Sequence, residues 1–328
     1  MQETPNIRKL AEAAGVSAST VSRALNGKCR TDSAAYKRVR ALVDQSGYVR
    51  KKQVSVNGNL LCVSGYDANN EYSHGHLLER ELEECAFLKK RKLTTTHNTN
   101  PEAVLELIRE YEIAGLILLT SPLPKRLLAI PAVILNEHCI ESEYSSVDCD
   151  AVAGYMKVFR FLKAAGHERV AFFGHRHFAH SILHGSLERL YRQTGLDYDP
   201  ELIQIQSFNY REHLPAIAET VDKLFSLAKP PTALAVHGDV YAPGCYDELR
   251  KRGLRIPEDI AVMGYDDFAM CKIVSPKLSS VSLPIRAMAE ESIDTLLKQI
   301  QSPQTPNRRI FVEPTLVVRD STPKQKGD

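Results

Sequence analysis

Ser17-Ala18-Ser19-Thr20-Val21-Ser22-Arg23-Ala24-Leu25-Asn26-Gly27 follows Ile7-Arg8-Lys9-Leu10-Ala11-Glu12-Ala13-Ala14 and the pair Gly15-Val16, and this order decides the fold of the N-terminal end. It predicts a helix, a tight turn and a second helix. In the first segment Ile7, Leu10, Ala11 and Ala14 recur at the spacing of one helix face. Gly15 supplies the positive φ of a sharp helix exit, and Ser17 caps the next helix. Val21 and Leu25, four residues apart, turn inward. Ala18, Ser19, Ser22, Arg23 and Asn26 are then left outside as small or hydrogen-bonding side chains, a face that fits a DNA major groove.

A plain helical hairpin with a solvated polar face has the same apolar spacing, so charge has to decide between them. Residues 1–52 carry eleven Lys/Arg (Arg8, Lys9, Arg23, Lys28, Arg30, Lys37, Arg38, Arg40, Arg50, Lys51, Lys52) against Glu3, Glu12, Asp32 and Asp44. That block is +7 within a chain of net +2, which leaves −5 for the remainder. Positive charge confined to one end is the footprint of a phosphate-binding module.

The pattern Ile-x-x-Leu-Ala-x-x-Ala-Gly-Val-Ser-x-Ser-Thr-Val-Ser-Arg-x-Leu-Asn-Gly resembles the DNA-binding domain of the lactose/galactose repressor (LacI/GalR) family. Gly47-Tyr48 closes a third helix as in that family. This helix is expected to start at Asp32 and to bury Val39, Leu42 and Val43. The resemblance implies that Ala18, Ser19 and Arg23 read bases and that Asn6, Ser17, Thr20, Ser22 and Asn26 contact phosphates. Arg23 is the candidate for guanine, because its fork matches O6 and N7. The following stretch departs from the family. Where relatives carry Pro-Asn and an Ala-Arg-x-Leu hinge segment, Val49-Arg50-Lys51-Lys52-Gln53-Val54-Ser55-Val56-Asn57-Gly58-Asn59 has neither Pro nor Leu and little helix propensity. The expectation is therefore no minor-groove kink, with Arg50, Lys51 and Lys52 clamping phosphates; a solvated linker is the alternative.

The 328 residues divide into a helix-turn-helix head (1–50), a linker (51–59) and a body (60–328) too long for one simple core. Along the body, short apolar strands (Leu60–Val63, Leu93–His97, Ala114–Leu119, Ala132–Leu135) alternate with helices (His76–Leu88, Pro101–Tyr111). A second series follows: helix Ala151–Ala164, strand Val170–Phe173, helix Ser181–Thr194, strand Leu202–Ile205, helix Leu214–Leu227, strand Ala233–Val236, helix Pro243–Arg252 and strand Ile260–Met263. Continuous apolar strands between helices predict parallel sheets covered on both faces. The expected fold is an all-α head followed by an α/β body of two Rossmann-like lobes, with ligand in the crevice at the strand carboxyl ends.

Gly166-His167-Glu168-Arg169-Val170-Ala171, Pro231-Thr232-Ala233, Ile256 to Asp267 and Glu313 to Thr322 resemble the same family's effector domain, a periplasmic-binding-protein-like type 1 fold. In the family the two lobes close over a small effector, often a sugar or nucleobase, and bias the DNA heads of a dimer. Pocket candidates by position are Asn70, Tyr72, Ser121, Asn136, His175, Arg176, Asp239 and Asp266, with Asp266 and Arg176 expected to face each other across the cleft. The family's pocket arginine is replaced by Ile182, its Asn before Asp239 by Gly238, and its Asp-Arg after the fourth strand by Asn136-Glu137. Loss of that bidentate clamp leaves either a different ligand or none.

His175, His177, His180 and His184 crowd one region, but no carboxylate or Cys completes a ligand set, and no metal or other cofactor is expected. Phosphate-loop, Gly-x-Ser-x-Gly and His-Glu-x-x-His motifs are missing, which argues against an enzyme. Seven scattered cysteines without a Cys-x-x-Cys pair fit reduced thiols in a cytoplasm. No apolar run reaches membrane-spanning length. The expected partners are a double-stranded, pseudo-palindromic DNA operator, a small-molecule effector and a second copy of the chain, since two heads related by a two-fold axis need two related half-sites. The competing reading is a small-molecule, sugar-like sensor whose head has lost DNA function, for which the short Ala18 and Ser19 speak.

Overall fold

The computed structural model describes residues 7–25, 33–46, 58–66, 74–120, 123–124, 128–136, 143–175, 183–206 and 213–323. The chain divides into two compact units, Met1–Val54 and Ser55–Asp328.

In the first unit, α1 (Ile7–Ala14), α2 (Ala18–Leu25) and α3 (Ala34–Ser46) close on Leu10, Ala11, Ala14, Val21, Ala24 and Val39, with Leu42 and Val43 packed at the edge. Three short helices can share so small a core only if their ends are fixed locally. Gly15 stands at φ +63°, and the Val16 N–H returns to the Ala11 carbonyl, which closes α1 as a left-handed C-cap does. Ser17 Oγ accepts the Thr20 N–H at 3.1 Å, the N-cap bond that starts α2. The third helix differs from expectation: it opens at Ala34, and Ser33 Oγ accepts the Tyr36 N–H at 3.2 Å. Asp32 lies outside the described residues. Serine and aspartate cap by the same chemistry, and adjacent in sequence they cannot be told apart.

The second unit holds two six-stranded sheets. The first has the order β11-β5-β4-β3-β1-β2, with β1 (Asn59–Ser64), β2 (Leu93–Thr96), β3 (Ile113–Leu119), β4 (Ala132–Leu135), β5 (Ser145–Cys149) and β11 (Arg309–Val312). Its helices are α4 (Gly75–Leu88), α5 (Pro101–Glu110) and α10 (Ile285–Gln301). The second sheet runs β12-β10-β9-β8-β6-β7, from β6 (Val170–His175), β7 (Ile203–Gln206), β8 (Ala233–Val236), β9 (Ala261–Asp266), β10 (Ser279–Ser282) and β12 (Thr315–Val317). All pairings are parallel except β10 with β12. Alternation along β6 shows how one strand feeds two layers. Val170 and Phe172 join the core under α6 (Ala151–Ala164) and α7 (Leu187–Thr194), whereas Ala171 and Phe173 join that under α8 (His213–Phe225) and α9 (Ala242–Lys251).

The lobes are not consecutive in sequence, contrary to the simple reading of two series. After β10 the chain returns to the first sheet, where α10 buries Met288, Ile293, Leu296 and Ile300 and packs against α4, β3, β4 and β5. It then adds β11 there before crossing again to β12. The expected helix Ser181–Thr194 is also shorter, an α-helix only over Leu187–Thr194 behind a 3-10 turn at His184–Ser186. Each sheet reverses its winding beside its first strand, β1 or β6, and such switch points place the strand carboxyl ends around a crevice.

Candidate nucleic-acid interface and effector cleft

On α2, Val21 is fully buried and Ala24 nearly so, and this orients the rest of the helix. Ala18, Ser19 and Arg23 are exposed, as is the cap Ser17, while Thr20 and Ser22 are half-buried. Ser17 Oγ lies 2.8 Å from both Ser19 Oγ and Thr20 Oγ1. The first turn of the helix thus presents a connected row of hydroxyls, groups suited to phosphate oxygens, and Arg23 stands one turn further along. Arg8 and Lys9 on α1 are exposed as well. Asn6, Asn26, Arg50, Lys51 and Lys52 lie outside the described residues.

In the second unit, polar side chains collect at the strand carboxyl ends. On the first lobe, Ser64 ends β1 and Asn136 follows β4, both buried. Asn136 Nδ2 donates to the Tyr66 hydroxyl at 2.6 Å. Burial pushes that hydroxyl up to about 12 against the lowering effect of the Asn136 bond, and the charges of Asp266 and Glu79 add to the rise, so Tyr66 stays a neutral donor. Three buried atoms here have no hydrogen-bond partner among the described residues: Ser64 Oγ, Asn136 Oδ1 and Glu79 Oε1.

From the same lobe, His74 at the start of α4 reaches the other. Its ring stacks on Phe268 at 4.4 Å between centroids and 15° between planes. Its Nε2 sits within ion-pair distance of Asp266 Oδ1, at 3.2 Å, and its Nδ1 has no hydrogen-bond partner among the described residues. Asp266 is thus placed at the meeting of the lobes. It and Asp267 hold positive φ values of 119° and 55°, and Asn136 one of 58°. Each such non-glycine conformation costs about 1–3 kcal/mol and persists where the surroundings force it, commonly at ligand sites.

Asp239 departs from its expected pocket role. It is fully buried and its oxygens are taken by the protein: Oδ2 by the Phe268 N–H (2.9 Å) and the Cys271 thiol (3.0 Å), Oδ1 by the Ser280 hydroxyl (2.7 Å). Burial, then the nearby charge of Asp266, pushes its carboxyl up to about 7. Gly238 also gains a reason: at φ +113° a Cβ would stand 2.9 Å from the Tyr241 ring, so an asparagine does not fit this backbone.

His175 ends β6 and is buried. His237, at the end of β8, was not singled out by the sequence. Its Nδ1 is 3.0 Å from the Tyr155 hydroxyl, and its ring lies against Tyr265, which stacks parallel to Tyr155 at 5.3 Å. Burial raises the pKa of both tyrosines well above the usual value. Asn70, Tyr72, Ser121 and Arg176 lie outside the described residues, as do Ile182, His177 and His180, so the expected Asp266–Arg176 opposition stays a sequence expectation. Among the described residues no group of three or more His, Cys, Asp or Glu could hold a metal, and no helix is long and apolar enough to cross a membrane. Ser64 and His237 were within reach of the strand-end rule. Tyr66, His74 and Glu79 of the first lobe and Phe268 of the second carry no local sequence signal, because only tertiary packing brings them to one place.

A three-helix groove-reading head and a body of two wound lobes with polar strand ends define a ligand-responsive DNA-binding protein. The comparisons agree with that class. Residues 6–51 match the bacterial regulatory proteins of the lacI family, and residues 159–322, half of the chain, match the periplasmic binding protein-like domain. The HTH-type transcriptional repressor CytR of Escherichia coli K12 is 26% identical over 98% of this chain and 97% of its own length. A solved CelR–cellobiose complex shares the fold with a TM-score of 0.67 at 24% identity, covering 97% of this chain and 99% of that one. A ribose-bound LacI-family regulator of Enterococcus faecium does so with a TM-score of 0.63 at 21% identity, over 80% of this chain and 98% of that one. The chain belongs to the lacI family of bacterial regulatory proteins. It is a DNA-binding transcription regulator, and the relatives it matches are regulators rather than enzymes.

Proposed function

We propose that this regulator is a cytoplasmic repressor that binds a pseudo-palindromic operator as a homodimer and is controlled by a small hydroxylated effector held between the lobes of the body. Ser17, Ala18, Ser19, Thr20, Ser22 and Arg23, together with Asn6, Asn26, Arg50, Lys51 and Lys52, form the DNA face. Asn136, Asp266, Ser64, Tyr66 and His74 form the described part of the effector site, joined by Asn70, Tyr72, Ser121, His175 and Arg176. The observation that carries the effector reading is the set of buried polar atoms at Ser64, Asn136 and Glu79 without a hydrogen-bond partner among the described residues. Buried polar groups are nearly always paired, so such a cluster at strand carboxyl ends calls for a ligand that brings its own donors and acceptors. A sugar-like molecule does so, and cellobiose and ribose in two structural relatives support that class.

An effector acts only through its difference in affinity for the two lobe arrangements. A coupling of about 1–3 kcal/mol changes operator affinity about 5–150-fold. Dimerisation is supported by the two-fold symmetry that paired half-sites require. The test is a thermal-shift screen of the full chain against cellobiose, ribose and nucleobases, followed by gel shifts with DNA selected from a random pool. A ligand that binds only the folded protein raises Tm and must also change DNA affinity. A panel in which ligands raise Tm yet leave DNA affinity untouched contradicts effector control.

A further inference from the structure

The corner Asp266-Asp267-Phe268 leaves β9 with two consecutive non-glycine residues at positive φ and carries both side chains that meet His74, Asp266 by charge and Phe268 by stacking. Something must hold it there. Two of its backbone N–H groups lead to one carboxylate. Phe268 N–H donates to Asp239 Oδ2 directly, at 2.9 Å. Asp267 N–H donates to Ser280 Oγ at 3.1 Å, and the Ser280 hydroxyl donates onward to Asp239 Oδ1 at 2.7 Å. The Cys271 thiol, just beyond the corner, adds a further donor to Oδ2 at 3.0 Å. Asp239 and Ser280 are fully buried, so neither is free to touch a molecule in the cleft.

We propose that Asp239 is a positioning residue, which fixes the strained Asp266–Phe268 corner against His74 and so sets effector affinity without contacting the effector. The proposal rests on the cleft being the effector site. A carboxylate suits the task because every neighbour aimed at it is a donor and it alone offers acceptors on both sides. Alanine removes all three bonds. Asparagine retains an acceptor for Phe268 and Cys271 and turns its amide toward Ser280 Oγ, which still accepts from Asp267. The carboxyl's rise to about 7 fits a group kept for its acceptors despite the cost of burying it.

The test combines amide hydrogen exchange over residues 266–273 of the full chain with binding of whichever of cellobiose, ribose or a nucleobase the wild-type protein takes up. Asp239→Ala is expected to speed exchange at the corner and to weaken the probe, each by about tenfold or more, as for the loss of three buried hydrogen bonds. Asp239→Asn is expected to stay within about threefold of wild type on both, and Ser280→Ala to fall between. Unchanged corner exchange in a folded Asp239→Ala overturns the proposal. So does a probe affinity lost equally in Asp239→Asn and Asp239→Ala with corner exchange unmoved, which would make Asp239 a direct ligand. If Asp239→Ala does not fold, Asp239→Asn and Ser280→Ala carry the comparison, and wild-type exchange and affinity in Ser280→Ala overturn it. If no probe binds wild type, the effector reading fails separately, and the exchange data still decide whether Asp239 holds the corner.

Discussion

The DNA face and the effector cleft are built on opposite principles. The face of α2 is local: its cap Ser17, its buried Val21 and its exposed Arg23 lie within seven residues, so one helix period arranges them. The proposed cleft draws on Ser64, His74, Asn136 and Asp266, with Asp239 buried behind them, which only the returns of the chain between two sheets bring together. A local site is robust to what happens elsewhere. A composite site depends on residues that never touch the ligand.

Asp266→Asn should separate the two regions most strongly. Removing the charge that faces His74 is expected to abolish the effector response, read as loss of both the ligand-induced Tm shift and the change in DNA affinity; a full response in that variant removes Asp266 from the site. Next in size is Arg23→Ala. It should cost about 1–3 kcal/mol of specific binding and relax one base pair per half-site, and selection from random DNA would show unchanged specificity if Arg23 reads no base. Ser17→Ala, which deletes the Thr20 cap bond, should destabilise the head by about 1 kcal/mol, seen as a lower melting temperature of the three-helix unit. Equal melting would mean that the cap contributes nothing.

An effect with a definite sign belongs to Asp239. Burial and the Asp266 charge raise its folded pKa to about 7 from an ordinary 3.8, against the lowering hydrogen bonds from the Cys271 thiol, the Ser280 hydroxyl and the Phe268 N–H. Between those values the folded chain holds a proton that the unfolded chain has released. The contribution is thus fully present below about pH 4 and lost as pH rises through about 7. The melting temperature of Asp239→Asn should fall less than wild type over that range; parallel curves would contradict the shift.

How much was legible follows from the same contrast. The head's helices, the Ser17 cap and the strands with apolar runs are readable, since each is decided by neighbours in sequence. β5 was missed because Ser145-Ser146-Val147-Asp148-Cys149 has no apolar run, yet it is wholly buried, with Ser145 Oγ bonded by Gln299 from α10. β10 hides its serines in the same way: Ser279 is satisfied by Ser321 and Thr322, and Ser280 by Asp239. Asn136 and Asp266 stand at strand carboxyl ends, as the alternation of strands and helices predicts. Asp239 was placed in the pocket by the same rule and proved to lie behind it, because the rule gives a position along the strand and no direction for the side chain.

If the proposed function holds, DNA reading and effector sensing reside in these two separate sets of residues. Selection from random DNA with wild type, Arg23→Ala and Asp266→Asn, each with and without the ligand that raises wild-type Tm, tests it most directly. One enriched inverted repeat is expected to be shared by wild type and Asp266→Asn, released on adding ligand only by wild type and Arg23→Ala, and read loosely at one position by Arg23→Ala. Recovery of no common sequence by wild type, or an undiminished ligand response in Asp266→Asn, would contradict it.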